Sequence, residues 1–223
     1  MYSFDPKDIT KEKSLLDIYK QAFFIFPGGL QIFIVACVFI CLAINSFLLE
    51  KRTDILLSNL RDWASFGFNF SITTLGFLIA GFTIFATLTK PKMMLAMMDH
   101  KNKKYNLPTL KYNFFVFIKV FISYISLAVI YAMVMILGQK GGFLSNAINY
   151  LFNIFDTNPY AIKVLISKFG YTLIGSSLVY LLLQLKSFVF NIYMIVMNLL
   201  RWEYYEEINK VDLTNNGNHG GTD

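Results

Sequence analysis

The stretch WASFGFNFSITTLGFLIAGFTIFATLT, from Trp63 to Thr89, decides the fold. It holds no charged residue, and it carries a stripe. Asn69, Thr73, Gly76, Ala80, Thr83 and Thr87 recur at steps of 4, 3, 4, 3 and 4, which on a helix places all six on one face. Each is small or polar, whereas Phe68, Phe70, Ile72, Leu75, Phe77, Leu78, Ile79, Phe82, Ile84 and Phe85 fill the other faces. The stripe runs about 27 Å at 1.5 Å per residue, against a hydrocarbon core about 30 Å thick. A face like that either packs closely on another helix or lines a wet path.

The rest of the chain agrees with a membrane setting. Of 223 residues 56% are hydrophobic, with 23 Phe and 13 Tyr, and the mean hydropathy is +0.51. Met1 to Lys20 is charged throughout and no small-residue cleavage site follows the first apolar run, so no cleavable signal peptide is expected. Residues 8–26 read as an amphipathic interfacial helix, with Leu15, Ile18, Tyr19, Ala22 and Phe26 on one face, broken by Pro27-Gly28-Gly29. The predicted spans are 30–49, 66–88, 114–137 and 164–186. Charged residues 50–62 read as a segment hugging the interface. Lys119, just inside the third span, is placed to snorkel towards the headgroups.

Residues 143–156 form a second amphipathic segment, too short to span and stopped by Pro159. The last helix is predicted from near Ile162 to about Ile208. From Lys168 to Arg201 it covers about 49 Å, so part of it projects from the bilayer. Residues 211–223 are polar and Gly/Asn-rich and read as disordered. This divides the chain into an interfacial helix and elbow (1–29), a four-span domain (30–200) and an acidic-aromatic tail (201–223) with Glu203, Tyr204, Tyr205, Glu206 and Glu207.

The net charge of +6 is concentrated between Lys90 and Lys111, where Lys90, Lys92, Lys101, Lys103, Lys104 and Lys111 face Asp99 alone. An even number of spans puts this loop and both termini on one side, and the positive-inside rule makes that side the cytoplasm. The lysines fix orientation and touch anionic lipid, or they dock an anionic nucleotide or oligonucleotide. The loop has no arginine, so planar bidentate phosphate recognition is not suggested there. Met93, Met94, Met97 and Met98 precede the charges as an adaptable apolar patch.

A second polar series lies on the last helix. Gly170, Ser177, Gln184, Asn191 and Asn198 recur every 7 residues. Such a recurrence marks an oligomer seam, an alternative pore face, or hydrogen bonding within one protomer. Asp156 is positioned for an outer mouth.

Catalysis finds little support. His100 and His219 are the two histidines, no phosphate loop or metal-ligand spacing appears, and the spans contain no acidic residue. No metal and no cofactor are expected. Cys37 and Cys41, spaced i, i+4, read as small buried hydrophobes.

The segment TTLGFLIAGFTIFATLTKP (Thr73 to Pro91), followed by the lysine-rich loop, resembles small bacterial membrane proteins of anti-phage defence operons, above all the channel component of Hailong-type systems. That resemblance covers about 40 residues. It implies an oligomeric ion channel that depolarises the infected cell, under control of a partner nucleotidyltransferase and its nucleic-acid product.

The expected protein is therefore all-α, a four-span protomer of the bacterial inner membrane that assembles as a homo-oligomer. The primary functional expectation is an ion channel with the Asn69–Thr87 stripe as pore or packing face. The alternative is a membrane anchor or scaffold that recruits a soluble cytoplasmic partner through the tail and the basic loop. A transporter is disfavoured by the missing internal repeat.

Overall fold

A computed structural model describes residues 4–217 apart from 24, 26, 27, 51, 103, 104 and 155–159. Apart from an isolated bridge between Lys101 and Pro108, the described regular structure is helical. After a 3-10 turn at Pro6–Asp8, the helices are α1 (Leu15–Phe23), α2 (Gly29–Ile44), α3 (Thr53–Leu88), α4 (Pro91–Asp99), α5 (Thr109–Leu137), α6 (Phe143–Ile154) and α7 (Tyr160–Gly217). Helix α2 closes in a π turn, Asn45–Leu49. Four helical stretches are long and apolar enough to cross a membrane: Gly29–Leu49, Thr53–Thr87, Thr109–Leu137 and Tyr160–Ile208. Three of the four expected spans fall inside one of them, and the second, 66–88, overruns Thr53–Thr87 by one residue.

Local chemistry sets several boundaries. Ser14 and Asp17 form a reciprocal cap that starts α1: the Ser14 N–H donates to the Asp17 carboxylate and the Asp17 N–H to the Ser14 hydroxyl, each at 3.2 Å. The helix is therefore shorter than the 8–26 segment expected. Pro91 opens α4 at a position where no N–H is needed, and Gly138 closes α5.

Residues 53–62, expected to hug the interface, are continuous with the second span. They are the first turns of α3, because no proline interrupts the chain and Leu56 and Leu60 continue its buried face. Nor is the basic loop irregular: α4 lies within it, and Met93 and Met98 are buried in the protomer instead of forming an open patch. Helix α7 runs on to Gly217, past the expected end at Ile208 and into the segment read as disordered. The remainder of that tail, with His219, lies outside the described residues.

The core sits between α3, α5 and α7. Leu78, Phe117, Tyr124, Tyr131, Leu181 and Phe188 are among its largest fully buried side chains. In lipid the water-exclusion drive between helices is absent, so close packing and hydrogen bonds hold them. Glycines bring the backbones together. A Cβ on Gly67 would stand 2.7 Å from the Tyr131 ring and 2.9 Å from Leu178, and one on Gly175 would stand 2.5 Å from Trp63. Phe82 and Phe85 interleave edge-on and tilted with Phe114 and Phe117, and Phe117 meets Phe188 at 5.3 Å between ring centres. The buried phenols are satisfied, Tyr124 by the Leu181 carbonyl at 2.8 Å and Tyr131 by the Ser177 hydroxyl at 2.8 Å.

Helix α2 leans mainly on α7 and buries none of its residues up to Ile44. Cys37 and Cys41 are consequently exposed on the protomer, not buried. The π turn is where α2 is clamped: Asn45 donates to the Tyr171 hydroxyl at 3.0 Å, and the buried Ser46 and Thr172 hydroxyls meet at 3.1 Å.

Candidate functional site

Helix α3 has two faces built from similar residues. Its inner face is Leu60, Ala64, Gly67, Ser71, Thr74, Leu78 and Phe85, all buried. Its outer face holds the predicted stripe, and Asn69, Thr73, Gly76, Ala80, Thr83 and Thr87 are all exposed on the protomer. The stripe therefore does not pack within the chain. A Cβ on Gly76 would meet nothing within 4 Å. Thr83 and Thr87 turn their hydroxyls onto their own helix, Thr83 to the Ile79 carbonyl at 2.9 Å and Thr87 to the Thr83 and Ile84 carbonyls at 3.0 Å. Asn69 is exposed, and its amide carries two donors and an acceptor to the surface.

The polar series on α7 divides. Ser177 and Gln184 turn into the bundle, Ser177 against Tyr131 and Gln184 donating to the Tyr180 hydroxyl at 2.7 Å. Asn191 is half-buried and Asn198 is exposed. Gly170 sits against Leu60, 3.1 Å from where a Cβ would be. The buried seam of α7 lies beside this series, at Ser167, Ile174, Leu181, Phe188 and Ile195. Intramolecular hydrogen bonding thus accounts for Ser177 and Gln184.

Gln184 and Asn191 also line a cavity of about 140 Å³ at the junction of the α1–α2 elbow, α5 and α7. Lys119 enters it from α5 and donates to the Ile25 carbonyl of the elbow. Its partner is thus a backbone carbonyl of the elbow. Ser187 donates to the Gln31 side-chain amide oxygen at 3.3 Å, while the Gln31 side-chain amide nitrogen is buried with no partner among the described residues. No carboxylate among the described residues lines this cavity. A membrane-level cation among amides and hydroxyls is a site for anionic oxygen or water. Lys119, Gln184 and Asn191 were each conspicuous in the sequence; Gln31 was not, although it is a lone amide one turn beyond a Gly-Gly elbow.

The basic loop is partly spoken for. Lys111 pairs with Glu12 at 2.6 Å in a largely buried bridge. Lys90 pairs with Glu203 of α7 at 2.6 Å in an exposed one. That contact raises the Lys90 pKa, through the hydrogen bond to Glu203 and then the nearby charges of Glu203 and Glu206. Lys92 and Lys101 are exposed. Lys103, Lys104 and Asp156 lie outside the described residues. Among the described residues no three His, Cys, Asp or Glu side chains gather into a metal-binding group. The chain matches no family model, no curated protein and no solved structure.

Proposed function

We propose that the protein is a non-catalytic, homo-oligomeric ion channel, with its stripe of small and polar residues on α3 turned towards other copies and the conduction path. The observation that carries this reading is the exposure of all six stripe residues while the opposite face of the same helix packs the core. Lipid offers the Asn69 amide no hydrogen-bond partner; a neighbouring subunit or a water column does. One four-span protomer has little room for water, so conduction needs several copies. Gly76 and Ala80 leave width, and Asn69, Thr73, Thr83 and Thr87 hydrate the ion. Without charge, the stripe selects weakly. Both termini and the basic loop face the cytoplasm by the positive-inside rule.

The resemblance of the Thr73–Pro91 segment to defence-operon channel proteins supplies the biological setting: depolarisation of an infected bacterium, triggered by a partner nucleotidyltransferase and its anionic product. Planar-bilayer recording of the purified protein, with and without candidate nucleotides, tests conduction. A conductance reduced by Thr83→Leu in an intact oligomer supports the reading. Absence of conductance under every condition, with Thr83→Leu behaving as wild type in cells, overturns it. Asn191→Leu serves as the comparison: if it blocks flux and Thr83→Leu does not, the α7 series is innermost.

A second reading rests on α7 outrunning the bundle. Trp202, Tyr204 and Tyr205 are exposed there beside Glu203, which makes a surface for a soluble partner and the protein an anchor. Deletion of residues 201–223 abolishes function in that case, with ion flux irrelevant to it.

A further inference from the structure

We infer that the end of the bundle opposite the basic loop holds a binding site for an anionic phospholipid, with its phosphate among Arg61, Lys140 and Lys163. These cations come from three separate elements: α3, the turn between α5 and α6, and α7. They line one cavity of about 250 Å³ that no carboxylate among the described residues lines. Gathering like charges without a counter-ion is unfavourable, so an anion resident there relieves the repulsion.

Two of the three cations are anchored. The Arg61 Nε donates to the Gly138 carbonyl at 2.6 Å, which fixes the guanidinium plane and leaves its other N–H groups for a phosphate oxygen pair. Lys163 donates to the Asn149 side-chain oxygen at 2.6 Å, which ties α7 to α6. Lys140 is exposed at the rim, on a turn that Gly141 makes with φ of +65°. Beside the polar Gln139, Ser145 and Ser167, the cavity has apolar walls at Leu57, Leu137 and Ile166. A free inorganic anion has no use for such walls. A diacyl lipid does, because its phosphate sits at the depth where α5 ends and its glycerol and chains run down the helices. The net positive rim favours an anionic headgroup such as phosphatidylglycerol over a zwitterionic one. The inference stands apart from conduction and from oligomer number.

The test uses the full-length protein in detergent, with phosphatidylglycerol, phosphatidylcholine or inorganic phosphate added, and reads the thermal midpoint and the lipid retained in native mass spectra. Phosphatidylglycerol is expected to raise the midpoint and to persist as a discrete adduct, while the other two do neither. The double substitution Lys140→Gln and Lys163→Gln is expected to weaken retention by about tenfold or more, one charge-assisted contact alone being worth such a factor. Because Lys163 also braces α6, the single Lys140→Gln variant, at an exposed position, gives the arm that leaves the fold intact. Equal effects of the two phospholipids, or a full shift with inorganic phosphate alone, overturn the inference. So does undiminished phosphatidylglycerol retention in Lys140→Gln and in the double variant.

Discussion

The two faces of α3 read alike and behave differently. Inside, Ala64, Gly67, Ser71 and Thr74 are small or polar at three- and four-residue steps; outside, so are Asn69, Thr73, Gly76, Ala80, Thr83 and Thr87. What separates them is the partner. The inner face meets large side chains cut to its shape, with Tyr131 and Leu178 filling the notch at Gly67 and Phe188 and Ile192 lying 3.0 to 3.4 Å from where a Cβ on Gly81 would be. The outer face has no counterpart in the same chain. Small residues in a membrane helix thus announce a close neighbour without saying whether it belongs to the same molecule.

Adjacent substitutions break the comparison most cleanly. Leu78→Ala, at a fully buried position, should destabilise the protomer by about 2–5 kcal/mol, while Ile79→Ala next to it should change stability by less than about 0.5 kcal/mol. Thermal unfolding in detergent reads both, and equal effects would mean that α3 is rotated from the orientation described. The glycines come next. Gly67→Val should cost about 1–3 kcal/mol by driving into Tyr131 and Leu178. Gly76→Val should spare the protomer and change its oligomeric state by size-exclusion light scattering.

Smaller effects sharpen the inner face. The Ser71 hydroxyl is buried with no hydrogen-bond partner among the described residues, so Ser71→Ala should be neutral or stabilise by up to about 1 kcal/mol. Tyr131→Phe, which removes a satisfied bond to Ser177, should cost about 0.6 kcal/mol, the average for such bonds in membranes. A clear loss from Ser71→Ala would reveal a partner for that hydroxyl.

The smallest effect lies far from both faces, at the start of α1. The Ser14 side chain holds the Asp17 carboxyl below its ordinary value of 3.8, helped by the Ser14 and Lys13 N–H groups and by Lys20. A depressed acid contributes its stabilisation at higher pH and loses it as pH falls through the folded value. Amides of α1 should therefore exchange faster on acidification below about 4, after correction for intrinsic rates, and Asp17→Asn should remove that dependence. Hydrogen exchange resolved along the chain measures it.

The four crossings were legible because uncharged runs such as Leu30–Leu49 and Trp63–Thr89 have few other uses. The start of α3 was not, since Asp54, Arg61 and Asp62 read as an interfacial segment while Leu56 and Leu60 were already on the core seam. The stripe was visible, but its twin at Gly67, Ser71 and Thr74 hid among the phenylalanines around it. Periodicity gives a face and leaves its direction open. The pairs Glu12–Lys111 and Lys90–Glu203 join residues about a hundred positions apart, and no local pattern foretells them. The α7 series looked uniform at seven-residue spacing, yet its environment changes along the helix: Ser177 and Gln184 have α5 beside them, and Asn198 is exposed.

Helix α7 is a lever as well as a wall. Its 58 residues extend about 87 Å at 1.5 Å per residue, of which about 39 Å lie beyond Asn191, where the polar cavity ends. A pivot of about 10° at that level, on an arm of this length, sweeps the far end through about 7 Å. Past the cavity, the Lys90–Glu203 pair is an exposed tether of the arm, and exposed pairs contribute about 0–1 kcal/mol. A modest push on the overhang is therefore geared down into a small, forceful displacement at Phe188, against Phe117 of α5 and behind Gly81 of α3.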